Sequence, residues 1–293
     1  MATLSNKIDF AAIICVNHAN PNGDPLNGNR PRTTYDNLGE ISDVAIKRKI
    51  RNRLQDMKYS IFVQSDDNRV DEYPSLRARA EAVIKGIDPS DKKKYLEAAC
   101  KAWIDVRAFG QLFPFSGKKG KKNEGEDDSS GVSVSLRGPV SIHPAFSVAP
   151  VLDRVSSIQI TKSVNTETGK RGSDTMGMKH RVDHGVYIFY GSMNPQLATK
   201  TFFSDEDAEA IKQTIKTLFA NDASSARPEG SMEVYRLYWW KHNSPNGQYS
   251  SAKVHRLLNV KVKDGIEEPK SIDDYQIELE ELPGLKCEII EGE

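Results

Sequence analysis

Two neighbouring stretches carry the residue types that bind phosphate. The first is residues 20–32, Asn-Pro-Asn-Gly-Asp-Pro-Leu-Asn-Gly-Asn-Arg-Pro-Arg. Gly23 and Gly28 let backbone approach a ligand closely. Asn20, Asn22 and Asn27 offer amide donors, and Arg30 and Arg32 bring guanidinium groups that can pair two-pronged with phosphate. The spacing of the two glycines suggests a phosphate loop. A Walker sequence, however, needs Lys and Ser or Thr after the second glycine, and Asn29 and Arg30 stand there instead. The second stretch holds Lys47, Arg48, Lys49, Arg51 and Arg53, flanked by Asp43 and Asp56. On a helix these bases form a cationic ridge, whose affinity for a polyanion accumulates through counterion release. A stiff surface loop and a solvated helix face have the same compositions, so it is adjacency that joins the two into one candidate surface.

A third candidate is residues 176–184, Met-Gly-Met-Lys-His-Arg-Val-Asp-His. His180 and His184 would suit a metal on a helix, but no third ligand accompanies them and the following residues alternate as a strand does. The segment reads better as a flexible tip. Met176 and Met178 can wedge against bases there while Lys179, His180 and Arg181 hold phosphate. An ordinary polar hairpin is the competing reading. Tyr235, Tyr238, Trp239 and Trp240 could stack bases on a sheet, yet they fall on both strand faces, which favours core packing or a subunit contact.

No catalytic set is recognisable. Cys15, His18, Asp24 and Asp36 are close in sequence but form no nucleophile, base and orienter. Asp24, just before Pro25, shapes a turn more readily than it serves as an acid or metal ligand. The expectation is a non-enzymatic protein with no metal and no cofactor. Cys15, Cys100 and Cys287 are odd in number and far apart, giving neither a metal pattern nor a disulfide framework. A cytoplasmic setting follows as an expectation, because the longest apolar run, residues 10–16, is too short for a membrane span and no secretory signal opens the chain.

The net charge of +0 hides an asymmetry. Residues 264–293 hold eleven acids and two bases, while the other 263 hold thirty and thirty-nine. Neutrality therefore does not argue against a polyanion partner. The acidic segment by itself reads as a solubilising one.

Several elements must position these residues. Residues 8–17 read as a buried strand and 43–57 as a helix capped by Ser42 or Asp43, with Ile46, Ile50, Leu54 and Met57 on its apolar face. A short strand is expected near 59–64, helices near 75–86 and 90–104, and strands over 132–142 and 182–193. A helix opened by Ser204 buries Ala208, Ile211, Ile215 and Leu218. Strands follow at 232–241, 253–262 and 286–290. Residues 116–131 read as a loop and 150–181 as an extended arm. Without the insertions the order is strand, helix, strand, strand, helix, strand, an α+β pattern of the ferredoxin-like type shared by RNA-recognition modules.

Residues 20–32 and 41–54 resemble the backbone subunit of type I CRISPR Cascade, a member of the RAMP superfamily, most closely that of subtype I-C. The segments 107–113 (Arg-Ala-Phe-Gly-Gln-Leu-Phe), 138–145 (Gly-Pro-Val-Ser-Ile-His-Pro-Ala), 178–185 (Met-Lys-His-Arg-Val-Asp-His-Gly) and 233–239 (Glu-Val-Tyr-Arg-Leu-Tyr-Trp) agree in order, so the likeness spans nearly the whole chain. The resemblance implies a modified ferredoxin-like, RRM-type palm with a helical fingers insertion and an extended thumb. The corresponding divisions are palm 1–59, fingers 60–130, a palm strand region 131–149, thumb 150–181, and the second palm part with the acidic segment at 182–293.

The resemblance further implies a subunit that holds guide crRNA by its backbone, polymerises head-to-tail with copies of itself beside other Cascade subunits, and presents the guide to target DNA. Each thumb would reach over a neighbouring copy. The implied RNA-contacting set is Asn17, Asn20, Asn22, Asn27, Arg30, Arg32, Lys47, Arg48, Lys49, Arg51, Arg107, Gln111, Arg137, Met176, Met178, Lys179, His180 and Arg181. Lys118, Lys119, Lys121 and Lys122 are assigned to DNA. The alternatives are an RNA endonuclease of the same superfamily, with Asp24 as its acid, and a guide-independent single-strand-binding protein.

Overall fold

The computed structural model describes residues 2–115, 132–161 and 176–293. The apolar run of residues 10–16 lies in β1 (Ile8–Ala19), which sits inside an eight-stranded antiparallel sheet. A strand apolar on both faces must be covered on both, and two clusters of buried side chains flank it.

The chain leaves β1 through a short hairpin, β2 (Gly23–Asp24) and β3 (Arg30–Pro31), then β4 (Leu38–Ile41) and helix α1 (Asp43–Asp56). An inserted unit follows: α2 (Leu76–Val83), α3 (Lys92–Ala102), α4 (Ile104–Phe109), β5 (Gly110–Phe115) and β6 (Val132–Arg137). The chain then re-enters the sheet with β7 (Val140–Ile142) and β8 (Ala145–Pro150), and extends outward as β9 (Val155–Thr161) and β10 (Met176–Met193). Helices α5 (Pro195–Thr201) and α6 (Asp205–Lys216) precede β11 (Met232–Lys241). The final elements are α7 (Ser251–His255), β12 (Leu258–Val262), β13 (Tyr275–Leu279) and β14 (Cys287–Glu291). The sheet runs β14-β11-β1-β10-β8-β4, with β7 and β9 also on β10.

On one face α1 brings Ile46, Ile50 and Leu54, and α6 brings Ile211 and Ile215, against Phe10, Phe189 and Trp239. Both helices are held at their N-termini: Ser42 Oγ accepts from Ala45 N, and Ser204 and Asp207 form a reciprocal capping box. On the other face Ala11, Ile13, Cys15, Tyr238 and Trp240 pack under α7, β12 and β13. A bulge opposite Ile13 and Ile14 shifts the register of β11. It is the reason Met232 and Val234 share the first cluster with Leu237 and Trp239, while Tyr238 and Trp240 alternate onto the second. The third cluster belongs to the insertion, where Phe62, Tyr95, Trp103 and Phe113 meet.

Several expectations need correction. Residues 59–64 form no strand; the amides of Phe62 and Val63 donate to the Asp105 carboxylate instead of to a strand partner. The segment 132–142 is broken into β6 and β7 at Gly138-Pro139. A Cβ on Gly138 would lie 2.3 Å from the Ala108 carbonyl oxygen, and Pro139 has no N–H to give a ladder. The first half of 253–262 is not strand, since α7 ends at His255. The terminal acidic segment is no detachable tail. It supplies β13 and β14, and Glu288, Glu291 and Glu293 pair with Lys212, Arg236 and Lys216 of the same chain. The arm's predicted tip at 176–181 is strand paired with 155–161 along its whole length.

No helix among the described residues is long and apolar enough to cross a membrane. Cys15, Cys100 and Cys287 are free thiols, and burial pushes each up to about 12, which makes them poor nucleophiles.

Candidate nucleic-acid interface

Residues 20–32 are held in shape by their own polar groups. Asn20 is buried and its Nδ2 donates to the Asn29 carbonyl at 2.8 Å. Asn29 N donates to the Asp24 carbonyl at 2.8 Å, closing the turn. Gly28 and Asn29 both take left-handed backbone, at φ of 57° and 60°, a conformation open to Gly and tolerated by Asn. Gly23 is needed for a different reason: a Cβ there would fall 2.0 Å from Asn29 Oδ1. The Asp24 carboxylate accepts from Leu26 N at 3.2 Å and lies 3.6 Å from Arg32, so it holds the turn together. Leu26, at the outer end of the turn, is 97% exposed.

The loop is tied to the start of α1. Asn22 Oδ1 accepts from Ser42 N at 2.9 Å, and the Asn22 carbonyl accepts from Arg32 N at 2.9 Å. Asn22, Gly23, Ser42, Val44, Arg48, Lys49, Asn52 and Arg227 share a cleft of about 470 Å³ with Asp67 and Asp222. A helix N-terminus beside guanidinium groups favours an anion. Asn20 and Asn22 thus act as scaffold: Asn20 Nδ2 is occupied inside the loop and Asn22 Oδ1 by the amide of Ser42. Asn27 is exposed on the turn, while Arg30 and Arg32 are half-buried along it.

The cationic ridge is corrected in one respect: its bases are neutralised, and two turn inward. Lys47 pairs with Asp43 at 2.8 Å and Arg48 with Asp67 at 3.2 Å. Lys49 bonds Asp222 and lies over the Phe219 ring. Its side chain is only 8% exposed, and burial pushes its ammonium down to about 8 against the pull of Asp222. Arg51 donates to Asp105 at 3.0 Å and stacks on Phe109. Arg53 donates to Thr217 Oγ1 at 2.8 Å. Arg48, at 61% side-chain exposure, is the base of this helix that reaches furthest into solvent among the ion-paired ones.

The remaining site residues fall in three places. Arg107 grips Asp207 in a two-pronged pair at 2.8 and 2.7 Å and donates to the Cys100 carbonyl at 3.1 Å. It therefore clamps the insertion to α6, lining a separate cleft with Tyr59 and Phe202. Gln111 and Arg137 lie on the β5–β6 hairpin, where Gln111 Nε2 donates to the adjacent Leu112 carbonyl at 2.9 Å. Met176, Met178, Lys179, His180 and Arg181 lie on β10, Met178 exposed and His180 buried. His180 Nδ1 is 2.7 Å from Ser157 Oγ. Burial lowers its basicity and the charge of Arg30 lowers it further, so the loop and the arm are electrostatic neighbours. Lys118, Lys119, Lys121 and Lys122 lie outside the described residues.

Asn17 marks a second cleft, of about 940 Å³, at the foot of the arm. Its Oδ1 is 2.7 Å from His184 Nδ1, and Arg154, Arg181 and Asp183 also line the space. Arg154 and Arg227 lie outside the sequence-predicted set because they stand far from the cationic stretches, and His184 was weighed there only as a metal ligand; the tertiary fold brings each to a cleft. Among the described residues no group of three His, Cys, Asp or Glu side chains is arranged to hold a metal ion.

A family model described as CRISPR-associated protein Cas7 matches residues 6–280. A protein of Haloferax volcanii described as CRISPR-associated protein Cas7 is 28% identical over 289 residues, covering 96% of this chain and 83% of its own length. Two solved chains are similar in structure. One comes from a "CRISPR RNA-guided surveillance complex, pre-nicking", with a TM-score of 0.49 and 14% identity over 80% of this chain and 78% of that one. The other comes from a "CRISPR RNA-guided surveillance complex", with a TM-score of 0.38 and 16% identity over 80% and 68%.

Proposed function

The chain belongs to the CRISPR-associated protein Cas7 family, and we propose on that premise that it is a non-catalytic subunit that holds guide crRNA in a Cascade-type complex. The observation that carries this reading is the cleft where the Asn/Arg loop meets the N-terminus of α1 beside Arg48 and Arg227. Backbone amides, a helix dipole and guanidinium groups converge there, which suits a phosphate chain held without regard to sequence.

In this reading the palm is a modified RRM. Taken alone, β11-β1-β10-β8, with α1 after β1 and α6 before β11, has the strand order and helix positions of a ferredoxin-like unit. An open RRM binds RNA across its sheet. Here α7, β12 and β13 cover that second face, so the RNA runs along the loop and α1 instead. The fingers are residues 60–130, a division supported by their separate aromatic cluster. The thumb is residues 150–181, supported by the β9–β10 pairing beyond the end of β1. Subtype I-C, head-to-tail copies, other Cascade subunits and target DNA complete the proposal and rest on the resemblance of residues 20–32 and 41–54; a cytoplasmic setting, also part of it, is supported by the cysteine pattern and the short apolar runs.

Asp24 is the residue on which a nuclease reading would depend. Its carboxylate caps a turn and faces Arg32, work that needs no metal. The test uses wild type and Asp24→Ala with labelled single-stranded RNA and magnesium. Both should bind the RNA and leave it intact. Cleavage by wild type that Asp24→Ala abolishes would make the chain an endonuclease.

A further inference from the structure

The cleft beside Arg107 lies at the opposite end of the sheet from residues 20–32. It has a volume of about 520 Å³, and Tyr59, Lys101, Phe202 and Glu206 line it next to the Arg107–Asp207 pair. The chain just before β1 fixes its position. Leu4 N donates to the Phe203 carbonyl at 2.8 Å, and Ser5 N donates to the Asp205 carboxylate at 3.2 Å. Two aromatic residues are left partly uncovered there, Tyr59 at 37% and Phe202 at 39% exposure. Phe202 takes left-handed backbone at φ 62°, which costs a bulky residue energy and suits glycine. The turn from α5 into α6 uses that conformation, but the phenyl ring has no part in making it.

Tyr35 stands at the other end, on the turn between β3 and β4. Thr34 N donates to the Leu38 carbonyl at 2.7 Å, Asn37 N to the Thr34 carbonyl at 3.1 Å and Leu38 N to Thr34 Oγ1 at 3.2 Å. The turn is thus well tied, yet Tyr35 is 101% exposed, against 41% for Phe146, the next most exposed aromatic residue described. Register places it. Leu38 pairs with Pro150 of β8, Ser147 of β8 with Tyr187 of β10, and Tyr187 with Ile14 of β1. Pro150 is therefore about level with Asn17, and the turn beyond Leu38 lies near the end of β1 at Ala19. The twelve residues of β1 span about 40 Å. No copy can bring its own Tyr35 to its own cleft, whereas a second copy shifted along β1 can.

The charges at the two ends are complementary. Asp36 is exposed beside Tyr35, and Lys101 is exposed at the cleft. Glu206, also exposed at the cleft, offers a carboxylate to a phenol hydroxyl. The space holds a tyrosine side chain with room to spare, and ring against ring adds to the area buried.

We propose that Tyr35 of one copy of this chain docks against Tyr59 and Phe202 of the next, with Asp36 meeting Lys101 and the Tyr35 hydroxyl donating to Glu206. A knob at one end and its socket at the other make a heterologous contact, which repeats from copy to copy and does not close at two. This contact rests on the head-to-tail reading above and gives it two named surfaces; nucleic acid takes no part in it.

Sedimentation velocity of the full chain, freed of nucleic acid and run over a range of concentrations, tests this. Wild type should grow past two copies. Tyr35→Ser and Phe202→Gly should each weaken association about thirtyfold, the loss of a buried aromatic anchor. Neither change should unfold the chain, because Tyr35 is fully exposed and glycine suits the backbone at 202. Tyr35→Phe keeps the ring and should retain most of the association. An equimolar mixture of Tyr35→Ser and Phe202→Gly combines an intact cleft with an intact knob, so it should form pairs and stop there. Wild type that stays a single copy or stops at two would overturn the proposal. So would variants that assemble like wild type, or a mixture that forms no pairs. Binding of a short single-stranded RNA is read separately: its absence in wild type would overturn the RNA-binding reading and leave the sedimentation result standing.

Discussion

Replacing Arg30, Arg32 and Arg48 together by glutamine weakens binding of single-stranded RNA by roughly two orders of magnitude and lowers the salt slope of log K by about 2. Arg48 lines the cleft at the start of α1, Arg30 and Arg32 belong to the loop whose Asn22 and Gly23 form its wall, and none of the three is consumed by the core. Arg32 lies 3.6 Å from Asp24, and Arg48 lies 3.2 Å from a well-exposed Asp67. Surface pairs of this kind contribute little to stability, so a phosphate can exchange for the carboxylate. Lys49 and Arg51 make the contrast. Both belong to the same cationic run, but each is committed to a carboxylate, Asp222 or Asp105, and to an aromatic ring. Glutamine at those two positions should cost stability before it costs salt dependence. Isothermal or fluorescence titrations at several salt concentrations read both quantities. A triple variant with an unchanged slope would move the phosphate track away from this cleft.

Asp105→Ala should destabilise the fold by about 3–5 kcal/mol, the usual consequence of removing one partner of a buried ion pair. Asp105 is 1% exposed. It accepts from Phe62 N at 2.8 Å, Val63 N at 3.1 Å and Arg51 Nε at 3.0 Å. One carboxylate therefore fixes the start of the insertion, the first turn of α4 and the middle of α1. Without it two amides and a guanidinium group lose their acceptor in a largely dry site. Denaturant unfolding gives the difference. A loss under about 1 kcal/mol would mean that water or a repositioned side chain replaces the carboxylate.

How much of this was legible depended on whether a signal was local. β1, α1, α6 and β11 follow from a dense apolar run, a 3.6-residue period, caps at Ser42 and Ser204, and a concentration of aromatics. The fate of Lys49 was not legible. It sits three residues from Ile46, on the flank of the apolar stripe, and whether it turns in or out is decided by Asp222, 173 residues away. Its five-residue length hid α7, and the covering of the second sheet face by β12 and β13 depends on long-range packing. For the site, the Asn, Gly and Arg composition of residues 20–32 marked the right loop. It did not reveal that Asn20 and Asn22 are engaged in holding the loop, or that a cleft far along the chain would gather Asn17, Arg154 and His184.

The most direct test of the central claim is the nucleic acid that travels with the protein. The chain should be purified from cells that make it together with a CRISPR array, and the bound strands extracted, treated with RNase or DNase, and sized. RNA of one discrete length is expected, with a particle mass that fits several copies of this chain on each strand. RNA of scattered lengths would make it a guide-independent single-strand binder, and a nucleic-acid-free monomer would contradict the account altogether.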